Sequence, residues 1–209
     1  MIGLQLQIPI ASWRKGPSRE YLETDILPPP ATCYGALLSL VGETDRERHK
    51  GVRITAGLLS QPQKSTVLRT VWHIKNAKIQ PGVEENARPD YQELLTDIAL
   101  MIWCDSQDEV NKDSTLEQRV LQALREPSSI DRFGGWSLGE STHLINDFSL
   151  VPDAIPLTSC QAFLVDPKGD VSMPVWVDHV GAKQTRFVLG RLEMLCEKPQ
   201  VAQLAQILV

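Results

Sequence analysis

No stretch of this chain approaches the roughly 20 consecutive apolar residues that a membrane helix needs, and Met1 leads straight into a strand-like alternation instead of a charged signal region. A cytoplasmic protein with no membrane partner is the expectation. Cysteine is sparse: Cys33, Cys104, Cys160 and Cys196 stand far apart, form no C-x-x-C pair and mostly have apolar neighbours, which reads as buried free thiols rather than a disulfide framework or zinc site. His49, His73, His143 and His179 are equally scattered, so no metal and no cofactor is expected. A basic excess is missing too, and the net charge of −5 argues against a protein that coats nucleic acid non-specifically. Absent as well are a G-x-S-x-G elbow, a G-x-G-x-x-G order, a Walker lysine, and any serine or cysteine with a histidine and carboxylate at a recognisable spacing. There are no internal repeats.

What is present centres on Leu27 to Glu43, Leu-Pro-Pro-Pro-Ala-Thr-Cys-Tyr-Gly-Ala-Leu-Leu-Ser-Leu-Val-Gly-Glu. Three prolines hold the entry extended, Thr32 is placed to cap a first turn, and Gly42 supplies a left-handed stop. The segment reads as a short helix. Tyr34, Leu37, Leu38 and Val41 recur at helical spacing, while Ala31, Gly35 and Ser39 leave a second face nearly bare. That bare face fits tight packing on a sheet; the other reading is close approach by a foreign backbone.

Upstream, Ile2, Leu4, Leu6, Ile8 and Ile10 alternate with smaller or polar residues, the period of a strand with one buried face. Ala11 to Ile26 is a loop rich in donors and rings. After the helix, Val52 to Leu59 and Thr66 to Lys75 read as strands, Asn76 to Gln92 as a long loop, and Glu93 to Cys104 as a third strand of this group, so that the loop tips an extended hairpin. Ser114-Thr115-Leu116-Glu117 is a capping-box sequence, followed by a helix with Leu116, Val120, Ala123 and Leu124 on one face. A glycine-rich strand comes next, then short strands at Ala162 to Asp166, Met173 to Asp178 and Thr185 to Leu195. The order strand, helix, strand, strand, helix, strand is the split βαβ pattern of an α+β, ferredoxin-like fold. One face of such a sheet often serves single-stranded RNA, an inference by analogy.

Charge is unevenly placed. Acid crowds into Asp90 to Asp131, whereas Arg14, Lys15 and Arg19 cluster early and Lys64, Arg69, Lys75, Lys78 and Arg88 gather before the acidic stretch. One basic groove and a scattering of surface cations both fit. Gly134, Gly135 and Gly139 follow Arg132 closely; the cluster reads as a tight turn with a bulge, or as a loop whose bare amides meet a phosphate. No catalytic residues are expected. The alternative is metal-free cleavage of RNA by its own 2′-hydroxyl, which needs a general base, a general acid and a cation, with Tyr91, His73 and Lys75 as the group that supplies them, against a plain reading of His73 as strand surface and Lys75 as a phosphate contact.

Taken together, the N-terminal strand and basic aromatic loop, the segment Leu27 to Glu43, Asp45-Arg46, His49, Val67-Leu68-Arg69-Thr70 and Arg-Phe-Gly-Gly-Trp-Ser-Leu-Gly-Glu-Ser-Thr from Arg132 resemble the Cas-five family of CRISPR-associated proteins, in its DevS-like subgroup. The resemblance spans Ile2 to about Asp147. It implies a ferredoxin-like, RRM-type (RAMP) domain over residues 1–147 with a protruding β-hairpin thumb at about 76–92, and a small β-rich C-terminal region over 148–209. It further implies a non-catalytic subunit of a type I Cascade complex that grips the 5′ handle of the crRNA. Such a subunit meets the large subunit and the first backbone subunit, and through the complex reaches target DNA near the PAM.

In that frame Arg14, Lys15 and Arg19 neutralise handle phosphates, and Trp13, Tyr21 and Tyr34 are stacking platforms or core residues. Further RNA contacts fall on Thr32, on Arg69, His73, Lys75, Lys78 and Arg88 of the hairpin, and on Arg132, Gly134, Gly135, Ser137 and Gly139. One subgroup of the family is itself the endoribonuclease that matures the guide, which is the alternative function. A protein-interaction subunit that binds no RNA is the third.

Overall fold

The computed structural model describes residues 1–16, 21–72, 75–152 and 159–208. In chain order the elements are β1 (Ile2–Ala11), β2 (Tyr21–Leu22), α1 (Pro30–Leu40), β3 (Arg53–Leu58), β4 (Gln63–Trp72), β5 (Ala87–Asp105), α2 (Leu116–Arg125), β6 (Asp147–Val151), β7 (Cys160–Val165), β8 (Val171–Trp176), β9 (Arg186–Leu195) and β10 (Ala205–Gln206). The strands join in one mixed α/β architecture, a sheet of order β6-β1-β5-β3-β7-β9-β8 with β2 and β4 on β5 and β10 on β3. Among the described residues no helix is long and apolar enough to cross a membrane.

The period-two alternation of β1 does what it predicts: Leu4, Leu6 and Ile8 are buried, and they share one core with Ile54 and Ala56 of β3, Leu100 and Ile102 of β5, Leu37 of α1 and Val120 of α2. Both helices cover this face. Met101 and Trp103, the intervening residues of β5, point to the other face and pack with Ala162, Leu164 and Leu204.

Strand β5 belongs to two structures at once. Its C-terminal half lies between β1 and β3, and its N-terminal half leaves the sheet as an antiparallel arm with β4, from Gln63 opposite Thr96 to Trp72 opposite Ala87. The changeover is at Asp97, whose φ is 60°. There Ser60 Oγ donates to the Asp97 carbonyl and accepts from the Ala99 amide, both at 2.9 Å. Its 19 residues make about 60 Å of strand.

Four local expectations are corrected. Helix α1 starts at Pro30 with Pro29 as an N-cap that makes no side-chain bond, so Thr32 lies inside the first turn and caps nothing; proline at the first helical position has no amide to leave unpaired. The capping box of α2 is Thr115 with Gln118, one residue later than expected, because Glu117 is occupied by the Ser106 amide at 2.7 Å and the Met1 amine at 3.0 Å. Strand β5 begins at Ala87, not after Gln92, which shortens the loop at the tip of the arm. The glycine-rich stretch is not a strand: Gly134 and Gly139 adopt φ of 79° and 116°, only Ser137 and Leu144 form a bridge there, and the strand that flanks β1 is β6.

Candidate functional site

The bare face of α1 is not packed on the sheet. Ala31, Gly35 and Ser39 line an open cleft of about 820 Å³ whose opposite walls are the glycine-rich loop, at Arg132, Phe133, Ser137 and Gly139, and the end of β8, at Val175, Trp176 and Val177. Two segments singled out in the sequence for separate reasons are thus two sides of one cavity. A β-carbon on Gly35 would meet nothing within 4 Å.

Several bonds hold the glycine-rich loop against α1. Trp136 donates its indole N–H to the Ala36 carbonyl at 2.8 Å and meets Phe148 of β6 edge-on at 4.6 Å. Trp13 donates to the Leu138 carbonyl at 3.2 Å. His143 Nδ1 accepts from the amides of Ser12 and Glu140, each at 3.3 Å, which leaves its proton on Nε2. Burial, opposed by the Glu140 carboxylate, holds that imidazole below its usual range. Gly42 has φ of 68°, and a β-carbon there would lie 2.2 Å from the Asp131 carbonyl oxygen, so only glycine lets the loop pass so close to the helix end.

The far wall is built by Arg46. Its guanidinium lies 4.5 Å from the Trp176 ring centre and donates to the Val177 carbonyl at 2.9 Å, while Tyr34 donates its hydroxyl to the Arg46 carbonyl at 2.7 Å. Beside it, the Glu43 carboxylate is engaged by Arg119 and Arg48. Burial works against its ionisation, but the Asp45 amide, Arg119 and Arg48 outweigh it and bring its pKa down to about 2. Arg119 also donates to His49 Nε2 at 3.0 Å, and His49 Nδ1 donates to buried Glu109 at 2.5 Å.

A second group lies along the arm. Tyr21 and Tyr91 have ring centres 6.4 Å apart. Three of the arm's cations are matched by acids: Lys64 with Glu93 at 2.9 Å, Arg88 with Asp90 at 2.8 Å, and Arg69 with Glu140 at 3.0 Å. The last pair ties the arm to the glycine-rich loop. Burial disfavours ionised Glu93, yet Lys64, the Thr24 amide and Tyr21 lower its pKa. At the tip, Asn86 is fully buried; its Oδ1 accepts from the amides of Lys75 and Asn76, and its Nδ2 donates to the carbonyls of Asn76 and Ile79.

The expected site residues therefore separate into groups. Thr32, Tyr34, Arg132, Ser137 and Gly139 gather at the cleft, with Gly134 and Gly135 exposed on the same loop. Tyr21, Arg69, Arg88 and Tyr91 lie on or beside the arm, Lys75 and Lys78 are exposed at its tip, and Arg14 and Lys15 are exposed on the loop after β1. Trp13 and Tyr34 are each only 2 % exposed, so neither presents a ring for stacking; both brace the cleft from behind. Arg19 and His73 fall outside the described residues. Tyr91 is opposite Leu68, and the ladder ends at Trp72 and Ala87, about 13 Å further along, with Lys75 beyond that end.

Across curated proteins, 207 residues of this chain are 57 % identical to "CRISPR-associated protein Cas5" of Myxococcus xanthus (strain DK1622), covering 99 % of this chain and 97 % of that protein. The chain belongs to the CRISPR-associated Cas5 family. That is the family its sequence resembles. No protein-family model matches the chain. Among solved structures, a chain of a "CRISPR RNA-guided surveillance complex" superposes with a TM-score of 0.65 at 12 % identity, over 92 % of this chain and 89 % of that one. A second, described as "Crystal structure of Cas protein", gives 0.54 at 14 % identity over 94 % and 95 %. At these identities the likeness is one of fold.

For this Cas5 chain, sequence reasoning missed Arg46 and Trp176, which are 130 positions apart and meet only through the fold. It also passed over Phe133, whose full exposure at the cleft is invisible in a segment noticed for its glycines. Among the described residues no group of three or more His, Cys, Asp or Glu side chains is placed to hold a metal.

Proposed function

We propose that this Cas5 chain is a non-catalytic subunit of a type I CRISPR Cascade complex that holds the 5′ handle of the crRNA in the cleft between α1 and the glycine-rich loop. The observation that carries the reading is the cleft itself, which joins the bare helix face to Arg132, Ser137 and Gly139 and lets a sugar–phosphate chain approach two backbones with little side chain between. The strand order β6-β1-β5-β3, with α1 following β1 and α2 following β5, supports a ferredoxin-like, RRM-type core that runs through β6 and so past residue 147. In this reading the β4–β5 arm is the thumb that meets the first backbone subunit, and the large subunit, which reads target DNA near the PAM, docks beside it. The complex acts in the cytoplasm.

The test is to incubate the purified chain, without divalent metal, with a labelled full repeat RNA and with a mature-handle RNA. Handle binding without cleavage is the expected result. Site-specific cleavage of the repeat, lost in Tyr91→Phe or Lys75→Ala, would instead make the chain the processing endoribonuclease. No binding to either RNA would leave a subunit that contacts protein alone.

A further inference from the structure

We infer that the outer edge of β4 receives an extended segment of a neighbouring protein subunit, which joins the arm as a further strand through backbone hydrogen bonds. This rests on the arm as a contact with another subunit and adds how that subunit is held. Every residue from Gln63 to Thr70 is exposed. Strand β4 pairs with β5 along one side, in an unbroken register over its 10 residues, and among the described residues no strand lies along its other side. Alternate amides and carbonyls of β4 therefore face away from β5, a row of donors and acceptors at strand spacing.

Sheet edges left in water are normally blunted, and the two end strands of the main sheet are. Strand β8 carries Pro174 and a register shift between Pro174 and Trp176; β6 has only 5 residues and runs into Pro152. Strand β4 has neither proline nor bulge. Its two cations, Lys64 and Arg69, are the remaining guard, yet each is drawn onto an acid, Glu93 and Glu140. Little charge is left to repel an approaching strand.

The pattern also sets the chemistry of the occupant. Tyr21 lies beside Tyr91 and Tyr91 opposite Leu68, and the three are 41, 52 and 62 % exposed. An apolar row thus crosses β2, β5 and β4 and stops at the open edge. An added strand with an apolar residue opposite Leu68 continues that row. A sugar–phosphate strand fits poorly, because it brings its charge to cations that already hold acids and sets phosphate oxygens against carbonyls as well as amides.

The experiment places proline at Thr66 and, separately, at Val67. Successive amides of a strand point to opposite sides, so one variant loses a bond to β5 and the other only an outward donor. Hydrogen exchange tells them apart, since the outward variant keeps slow exchange in the arm half of β5. Both, and Leu68→Asp, which alters the face of the arm and no amide, are co-expressed with the other subunits of the complex. The outward-proline variant is expected to enter the complex about 10-fold less well or worse, and the outward amides of β4, fast to exchange in the free chain, are expected to be protected in the native complex. Normal assembly of that variant with defective assembly of Leu68→Asp would overturn the edge and leave the arm as a contact through its face. Normal assembly of both would overturn the edge and the arm reading alike. Normal assembly with weakened binding of handle RNA would give the edge to RNA and overturn the inference. Should both prolines melt the arm, the exchange comparison decides alone, and β4 amides left unprotected in the complex would overturn the edge.

Discussion

Trp136 donates its indole N–H to the carbonyl oxygen of Ala36 at 2.8 Å, across 100 positions of sequence. That bond fixes the glycine-rich loop to the helix whose bare face opposes it, and so sets the width of the cleft. Trp136→Phe removes the donor and part of the ring; the expected cost is about 1–2 kcal/mol, from one hydrogen bond and unfilled volume. Urea unfolding measures it, and a stability equal to the native chain would show that the bond does not hold the loop.

Glycines on the two sides of the cleft should respond oppositely to alanine. Gly139 has φ of 116° and its β-carbon would lie 3.1 Å from the Ser12 carbonyl oxygen, so Gly139→Ala is expected to cost roughly 1–3 kcal/mol. Gly35 is helical with open space beside it, so Gly35→Ala is expected to stabilise by about 0.5–1 kcal/mol. Thermal or urea unfolding of the two variants side by side reads both signs.

Acid should weaken the fold in two steps. His143 has a folded pKa below its ordinary 6.5, so its contribution is complete above about that value and is lost as pH falls through the lowered pKa. Glu43 falls from 4.5 to about 2; its contribution is complete above about pH 4.5 and fades toward pH 2. The urea midpoint measured against pH should decline over both windows, and Glu43→Gln should flatten the lower one only.

Asn86 organises the tip of the arm through its four bonds to the 75–79 backbone. Asn86→Ala is expected to release the amides of Lys75 and Asn76 to fast hydrogen exchange while those of β1 keep their protection. Loss of protection throughout the sheet would mean that the arm and the core unfold as one unit.

The loop after β1 offers a test of charge. Replacing Arg14 and Lys15 together by alanine is expected to reduce the slope of log affinity for handle RNA against log salt by roughly 1.4, at about 0.7 per phosphate contact on a single strand. An unchanged slope would remove this loop from the interface.

Local pattern was enough to read the elements and misread their ends. The alternation in β1, the apolar stripe of α1 and the face of α2 each report burial directly, because a side chain's periodicity tells which way it points. End positions slipped where a competing partner was remote: Glu117 would cap α2 but for the Met1 amine and the Ser106 amide. The bare face of α1 was visible as Ala31, Gly35 and Ser39, yet the same three residues describe a helix packed tightly on a sheet and a helix that walls a cavity.

The sequence by itself determined the family, the order of strands and helices through α2 apart from the short β2, and the small residues that line the cleft, since these depend on side-chain size and spacing along one segment. Tertiary structure alone decided that α1 turns its bare side to the glycine-rich loop, that Arg46 lies on Trp176, that Trp13 and Tyr34 are buried and Phe133 is not, and that Lys64, Arg69 and Arg88 already have acids beside them. Each of those relations joins segments distant in sequence, and which faces meet is settled by burying the whole sheet at once, a global sum that no local window contains.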